Sequence, residues 1–140
     1  MTVQTFVPYG SNFRLNAEVL DRQRLGKQRV EAYQIIQALT LPTYGWKNHP
    51  AAKMWAGYVE ALAQYGIAMC QEWISRGYND SMLERFYPYA PTMQPDCPDW
   101  LNREDVMVSH RSNLIRKMPE FYGPIWPETD STLPYVWPVS

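Results

Sequence analysis

The stretch DRQRLGKQRVEAYQI (residues 21–35) sets Arg22, Arg24, Lys27 and Arg29 around Glu31 on what reads as a single helix. The whole chain carries a formal net charge of −1, so this clustering is local and needs a local reason. Cations at such density bind phosphate groups, and a carboxylate among them can stabilise a developing positive charge or move protons. On a helical wheel Arg29 falls within about 40° of Leu25 and about 20° of Ile36, on the inward-facing stripe. A buried guanidinium is expensive unless paired, so an inward Arg marks either a site or a buried ion pair. Glu31 stacks with Lys27 one turn back. Helix geometry alone favours reading these two as an exposed i,i+4 pair, worth ~0.2–0.5 kcal/mol.

Further candidates lie outside that helix. His49, in KNHP, either caps the next helix or bonds a loop carbonyl. His110 shares a helix face with Met107 and Leu114, where a core histidine is the default. The stretch SHRSNLIRKMPEFYG (109–123) combines three cations with an aromatic pair just past a helix end. Phosphate-neutralising cations beside rings that stack bases are the ingredients of a nucleic-acid surface, although basic residues near a helix C-terminus also answer the macrodipole. No His pairs with Cys, Asp or Glu at metal spacing, so no metal is expected, and no cofactor motif is visible. Cys70 and Cys97 have no CxxC spacing and read as idle thiols rather than a disulfide.

At 140 residues, 46% of them apolar, the chain has the material for one domain (1–140) with its own core. The near-neutral charge means that nucleic-acid binding must rest on a local patch. Neither a signal peptide nor a run of about 20 apolar residues is visible, which predicts a soluble, cytoplasmic protein with no membrane partner; a monomer is expected.

The elements that must position these residues read as all-α. Residues 1–15 form an extended arm with Pro8 and Gly10 as breakers. A long helix is predicted from about Asn16 to Thr40, with Leu25, Ala32, Ile36 and Leu39 as its apolar stripe. Gly26 within it costs roughly 1 kcal/mol relative to Ala, which invites a reason such as close approach of another backbone. Pro50 opens a second long helix reaching about Arg76, where Gly77 stops it. Along it Trp55, Tyr58, Leu62, Tyr65, Met69 and Trp73 describe one continuous buried stripe. Ser81 and Glu84 fit a capping box on a short helix. A last helix covers about 100–118, and the Pro- and aromatic-rich tail is an extended wrap over the surface.

Taken in order, LDRQRLGKQRVEA (20–32), GWKNHP (45–50), EWISRGY (72–78) and HRSNLIRKMPEFY (110–122) resemble the pyrimidine-dimer DNA glycosylases, the small all-α phage-type endonuclease V group. The opening QTFVPY is closest to a phage and actinobacterial branch. The resemblance implies that a flipped or kinked nucleotide exposes its sugar C1′ to a free N-terminal amine, which forms an imine. It also implies a glutamate six residues after a leucine on the first helix; here these are Leu25 and Glu31, and Glu31 becomes the essential carboxylate. The chain departs from the pattern at Val30, where the family has Arg, and at Arg24 and Gln34, which replace a His and an Arg. Removal of Met1 would make Thr2 the amine, about eight residues further from Leu25 than in the family. Such an amine reaches the site if residues 2–10 double back over the first helix near Gly26.

The expected function is cleavage of the N-glycosidic bond of a damaged or modified pyrimidine nucleotide, with associated abasic-site lyase activity if the amine acts. Glu31 and Thr2 would be catalytic. Arg22, Arg24, Lys27 and Arg29 would grip phosphates of DNA or of a nucleotide. His49, His110, Arg111 and Lys117 would line the same groove, with Tyr122 and Trp126 as stacking rings. The rival readings are a non-catalytic nucleic-acid or nucleotide-binding module on the same fold, and a phage accessory protein that docks on a host protein through its aromatic tail.

Overall fold

The computed structural model describes residues 4–41, 49–92 and 95–138. Helices α1 (Phe13–Val19) and α2 (Arg22–Thr40) replace the single helix expected over 16–40. Leu20 between them is extended (φ −73°, ψ 141°), and Asp21 caps α2 by accepting from the Arg24 N–H at 3.3 Å. Asp is a strong N-cap, and its carboxylate also receives the Tyr122 hydroxyl, so a distant contact holds the break open. The apolar stripe survives, with Leu25, Ala32 and Ile36 fully buried and Leu39 packed at the edge of the core.

The second expected helix is also two. Helix α3 (Pro50–Trp55) is separated from α4 (Val59–Ser75) by Gly57, whose φ of +85° suits glycine and breaks the ladder. The predicted stripe nevertheless runs through both: Trp55, Leu62, Tyr65 and Met69 are fully buried, Tyr58 and Trp73 partly so. Its main partner is α2, and among the described residues α2 against α4 is the most extensive helix–helix contact. Gly77 ends α4 with a φ of +94°.

Helix α5 (Leu83–Phe86) starts without the predicted capping box. Asp80 caps it instead, accepting from the N–H groups of Met82 at 3.1 Å and Leu83 at 2.7 Å. A short 3-10 turn (Asp99–Asn102) then precedes α6 (Glu104–Lys117) and α7 (Pro119–Tyr122), so the last long helix begins later than expected. Among the described residues there is no strand, and no helix is long and apolar enough to cross a membrane. The tail, expected to be extended, instead makes turns through residues 123–132. Only residues 133–138 run along α6, where Leu133 N–H and Val136 N–H donate to Ser112 Oγ at 3.0 Å and Ser109 Oγ at 3.2 Å.

The arm takes an unusual course. Gln4 to Pro8 are buried with no neighbouring strand, and buried backbone groups must find partners. Side chains supply them. Gln28 of α2 receives the Phe6 N–H at 3.1 Å and donates to the Gln4 carbonyl at 2.8 Å. Tyr65 of α4 donates to the Phe6 carbonyl at 2.8 Å, while His110 and Arg111 of α6 bond Val7 N–H at 3.0 Å and the Pro8 carbonyl at 2.9 Å. The arm therefore crosses α2 at Gln28, not at Gly26. The space beside Gly26 belongs to Trp73, whose ring would lie 3.1 Å from an added Cβ.

Candidate active site

Arm, α2, the end of α6 and the tail enclose a cavity of about 320 Å³, at the lower end of the ~300–1,000 Å³ usual for small-molecule sites. Its chemistry is divided. Arg24, Lys27 and Lys117 supply cations, whereas Phe6, Tyr135 and Trp137 supply rings. Glu31 and Gln28 of α2 lie in its wall, with His49 beside them.

Glu31 is partly buried and takes no part in the ion pairs found among the described residues. Its Oε2 accepts from Gln28 Nε2 at 3.1 Å and from the Gln4 N–H at 3.4 Å. Burial raises its pKa above the ordinary carboxylate value, opposed by the Gln4 N–H, the charge of Lys27, the Gln28 amide and the charge of Lys117. Lys27 thus acts on Glu31 through space and not as the contact pair that helix geometry favours. A partly desolvated carboxylate held by two neutral donors can meet a developing cation or exchange a proton, because no strong partner has consumed its charge.

Among the expected phosphate ligands, Arg24 and Lys27 line the cavity, as do Lys117 and His49. Arg24 is also held to Asp21 at 3.2 Å. His49 caps α3 through Nδ1, which accepts from the Ala51 N–H at 3.0 Å, and its ring meets Trp137 edge-on. Arg22 is exposed, 6.0 Å from the centre of the Tyr78 ring, outside the cavity lining.

Arg29 points the other way. It pairs with the buried Asp80 and lies over the Trp73 ring at 4.3 Å, so it is committed to the core and does not reach the groove. His110 is wholly buried, with its pKa lowered to about 3 by burial. Its Nδ1 is spent on the Val7 N–H, so in the neutral ring the proton sits on Nε2, facing no hydrogen-bond acceptor. Arg111 clamps the arm and covers the Tyr9 ring at 5.1 Å. Tyr122 and Trp126 stack on each other, with centroids 5.7 Å apart, inside the core. Hence Arg29, His110, Arg111, Tyr122 and Trp126 hold the molecule together instead of lining the cavity, and Thr2 lies outside the described residues.

Sequence reading passed over Gln4, Phe6, Gln28, Tyr135 and Trp137. A signal existed for Gln28 alone: it is three residues before Glu31, on the same helix face. The two tail aromatics carry no period that could have aimed them. Both cysteines are free, Cys70 buried and Cys97 exposed.

Residues 3–85, more than half of the chain, match the family model described as pyrimidine dimer DNA glycosylase. The match takes in the arm, α2 and Glu31, and stops before α6 and the tail. Neither a curated protein nor a solved structure matches the chain.

Proposed function

The chain belongs to the pyrimidine dimer DNA glycosylase family, and from that premise we propose that it releases the base of a damaged or modified pyrimidine nucleotide in DNA, with Glu31 as the acting carboxylate. The observation that carries the reading is the position of Glu31 in a cavity lined by both cations and aromatic rings. Arg24, Lys27 and Lys117 neutralise phosphates flanking the target nucleotide. Phe6, Tyr135 and Trp137 receive the extruded base, whose unstacking they offset by new stacking.

As the bond between C1′ and the base nitrogen breaks, its electron pair leaves with the base and positive charge builds on the sugar. Glu31 stabilises that charge. In a partly desolvated site such stabilisation is worth far more than in water. Two nucleophiles can then close the reaction. Water adds to C1′ as Glu31 takes its proton and passes it to the departing base. An amine at Thr2 would add to C1′ instead, and opening of the C1′–O4′ bond would give the imine, one amine proton going to the base and the other to O4′. The amine route is supported by the arm, because Gln4 lies against Glu31 and two further residues reach at most about 7 Å.

The test is base release from duplexes carrying a pyrimidine dimer, an abasic site or a modified pyrimidine, with and without borohydride. The wild type should release base, and Glu31→Gln should lower kcat by roughly 10²–10³-fold with little change in affinity. A borohydride adduct selects the amine route, and base release without an adduct selects water. Salt-sensitive DNA binding without base release from any of these duplexes would leave the protein as a binding module.

A further inference from the structure

One buried side chain joins the N-terminal arm to the cavity carboxylate. Gln28 is 1% exposed, and both ends of its amide are hydrogen-bonded. Nε2 donates to the Gln4 carbonyl at 2.8 Å and to Glu31 Oε2 at 3.1 Å. Oε1 accepts from the Phe6 N–H at 3.1 Å and lies beside the Tyr65 hydroxyl, whose single proton it shares with the Phe6 carbonyl. The two backbone partners also settle which end of the amide is nitrogen, since the Gln4 carbonyl can only accept and the Phe6 N–H can only donate.

We propose that Gln28 is a positioning residue: it sets the register of residues 4–7 against Glu31, so that arm and carboxylate meet the substrate as one rigid unit. The proposal rests on the reading of Glu31 as the acting carboxylate. Gln28 bonds the carbonyl of residue 4 and the N–H of residue 6, as a neighbouring strand would, in a segment that has no such strand. A slip of the arm by one residue turns its backbone groups away from both ends of the amide, and the buried peptide groups lose their partners. The same Nε2 holds the Gln4 carbonyl and the Glu31 carboxylate together, at 2.8 Å and 3.1 Å.

No other polar side chain fits this role. Leucine would orphan the Gln4 carbonyl and the Phe6 N–H together. Glutamate keeps the shape but brings a second negative charge against Glu31 and loses both donations. The charged and titratable groups that face Glu31 are Lys27 on its own helix, Lys117 from α6, Tyr65 from α4 and Tyr135 from the tail. His49 stands in the same cavity wall. None of these bonds the arm and the carboxylate at once.

The experiment compares Gln28→Glu, Gln28→Met and Tyr65→Phe with the wild type in the full chain. It reads the Glu31 carboxyl titration by carbon-13 NMR, the hydrogen exchange of the Phe6 amide, and kcat, KM and the pH–rate profile. Gln28→Glu should raise the Glu31 titration by about one unit or more and carry the acid limb of the pH–rate profile with it. In Gln28→Met the Phe6 amide should exchange about tenfold faster or more, with kcat falling and KM nearly unchanged. Tyr65→Phe, which removes a hydroxyl shared by Gln28 Oε1 and the Phe6 carbonyl but no bond to Glu31, should leave the Glu31 titration in place.

A wild-type Glu31 titration in Gln28→Glu, or wild-type Phe6 exchange in a folded Gln28→Met, overturns the proposal. If Gln28→Met does not fold, the nearly isosteric Gln28→Glu carries the decision. If the wild type releases no base, the functional reading fails by itself, while titration and exchange still decide the role of Gln28.

Discussion

Arg29 and Glu31 are separated by one residue on α2, and the two faces of the helix treat their charges in opposite ways. Arg29 enters the packed side, where Asp80 neutralises it and the Trp73 ring covers it. Asp80 in turn caps α5, so the pair ties α2 to the segment after α4. Glu31 faces the cavity, where two neutral donors hold it and burial raises its pKa. A charge consumed by a contact partner stabilises a fold but has little left for a ligand; a charge left without one costs stability and stays available. The difference separates architecture from chemistry within a single helical turn.

Breaking the packed side should have the largest effect on the fold. Arg29→Met leaves Asp80 buried without its cation and should cost about 3 kcal/mol, read from the urea midpoint. Base release per folded molecule should hold. A variant that keeps its stability but loses DNA affinity would place Arg29 with the cavity residues and dissolve the comparison.

His110 offers a pH-dependent version of the same test. Burial lowers its folded-state pKa from 6.5 to about 3, so across that interval the unfolded chain binds more protons than the fold does. The stability held by neutral His110 is complete above about pH 6.5 and is lost progressively as pH falls towards 3. Denaturation curves from pH 7 to about pH 4 should show this decline, and His110→Gln, whose amide oxygen can still accept from Val7, should flatten it. An equal slope in both proteins would mean that other groups set the pH dependence.

Smaller effects belong to the cavity side. Lys27→Ala and Lys117→Ala should each reduce the salt slope of DNA binding by about one contact, or 0.9 in log–log terms. Arg29→Met should leave that slope alone. The smallest shift concerns Glu31 itself. A raised folded-state pKa means that its contribution to stability is present below the unfolded value of 4.5 and lost as pH rises through the folded value. Glu31→Gln should therefore be slightly more stable than the wild type at pH 7, a difference that disappears below about pH 4.5. A Glu31→Gln variant less stable than the wild type at pH 7 would show the carboxylate to be structural.

Helical periodicity is a local property, and the all-α class, the buried stripes of α2 and α4 and the stop at Gly77 were all legible from the residues, whereas the tail, expected to be extended, turns repeatedly up to residue 132. So was the family, because LDRQRLGKQRVEA keeps Leu25 and Glu31 six apart on one helix. The breaks at Asp21 and Gly57 were harder to see, since an Asp or a Gly inside a periodic run is compatible with either outcome. At Asp21 the Tyr122 hydroxyl, from the far end of the chain, holds the break.

Which cations face a ligand was not legible at all. Arg24, Lys27 and Arg29 are the same kind of residue in the same short run, and the wheel indicated only that Arg29 points inward, towards a site or a buried pair. Asp80, 51 positions away in sequence, resolves it. The arm is the clearest case. Residues 4–8 carry no periodic signal, and their course depends on Gln28, Tyr65, His110 and Arg111 arriving from three different helices. Local sequence sets which elements form and which face of each is apolar. Only tertiary packing decides which buried polar groups become partners, because satisfying them is a requirement on the whole molecule.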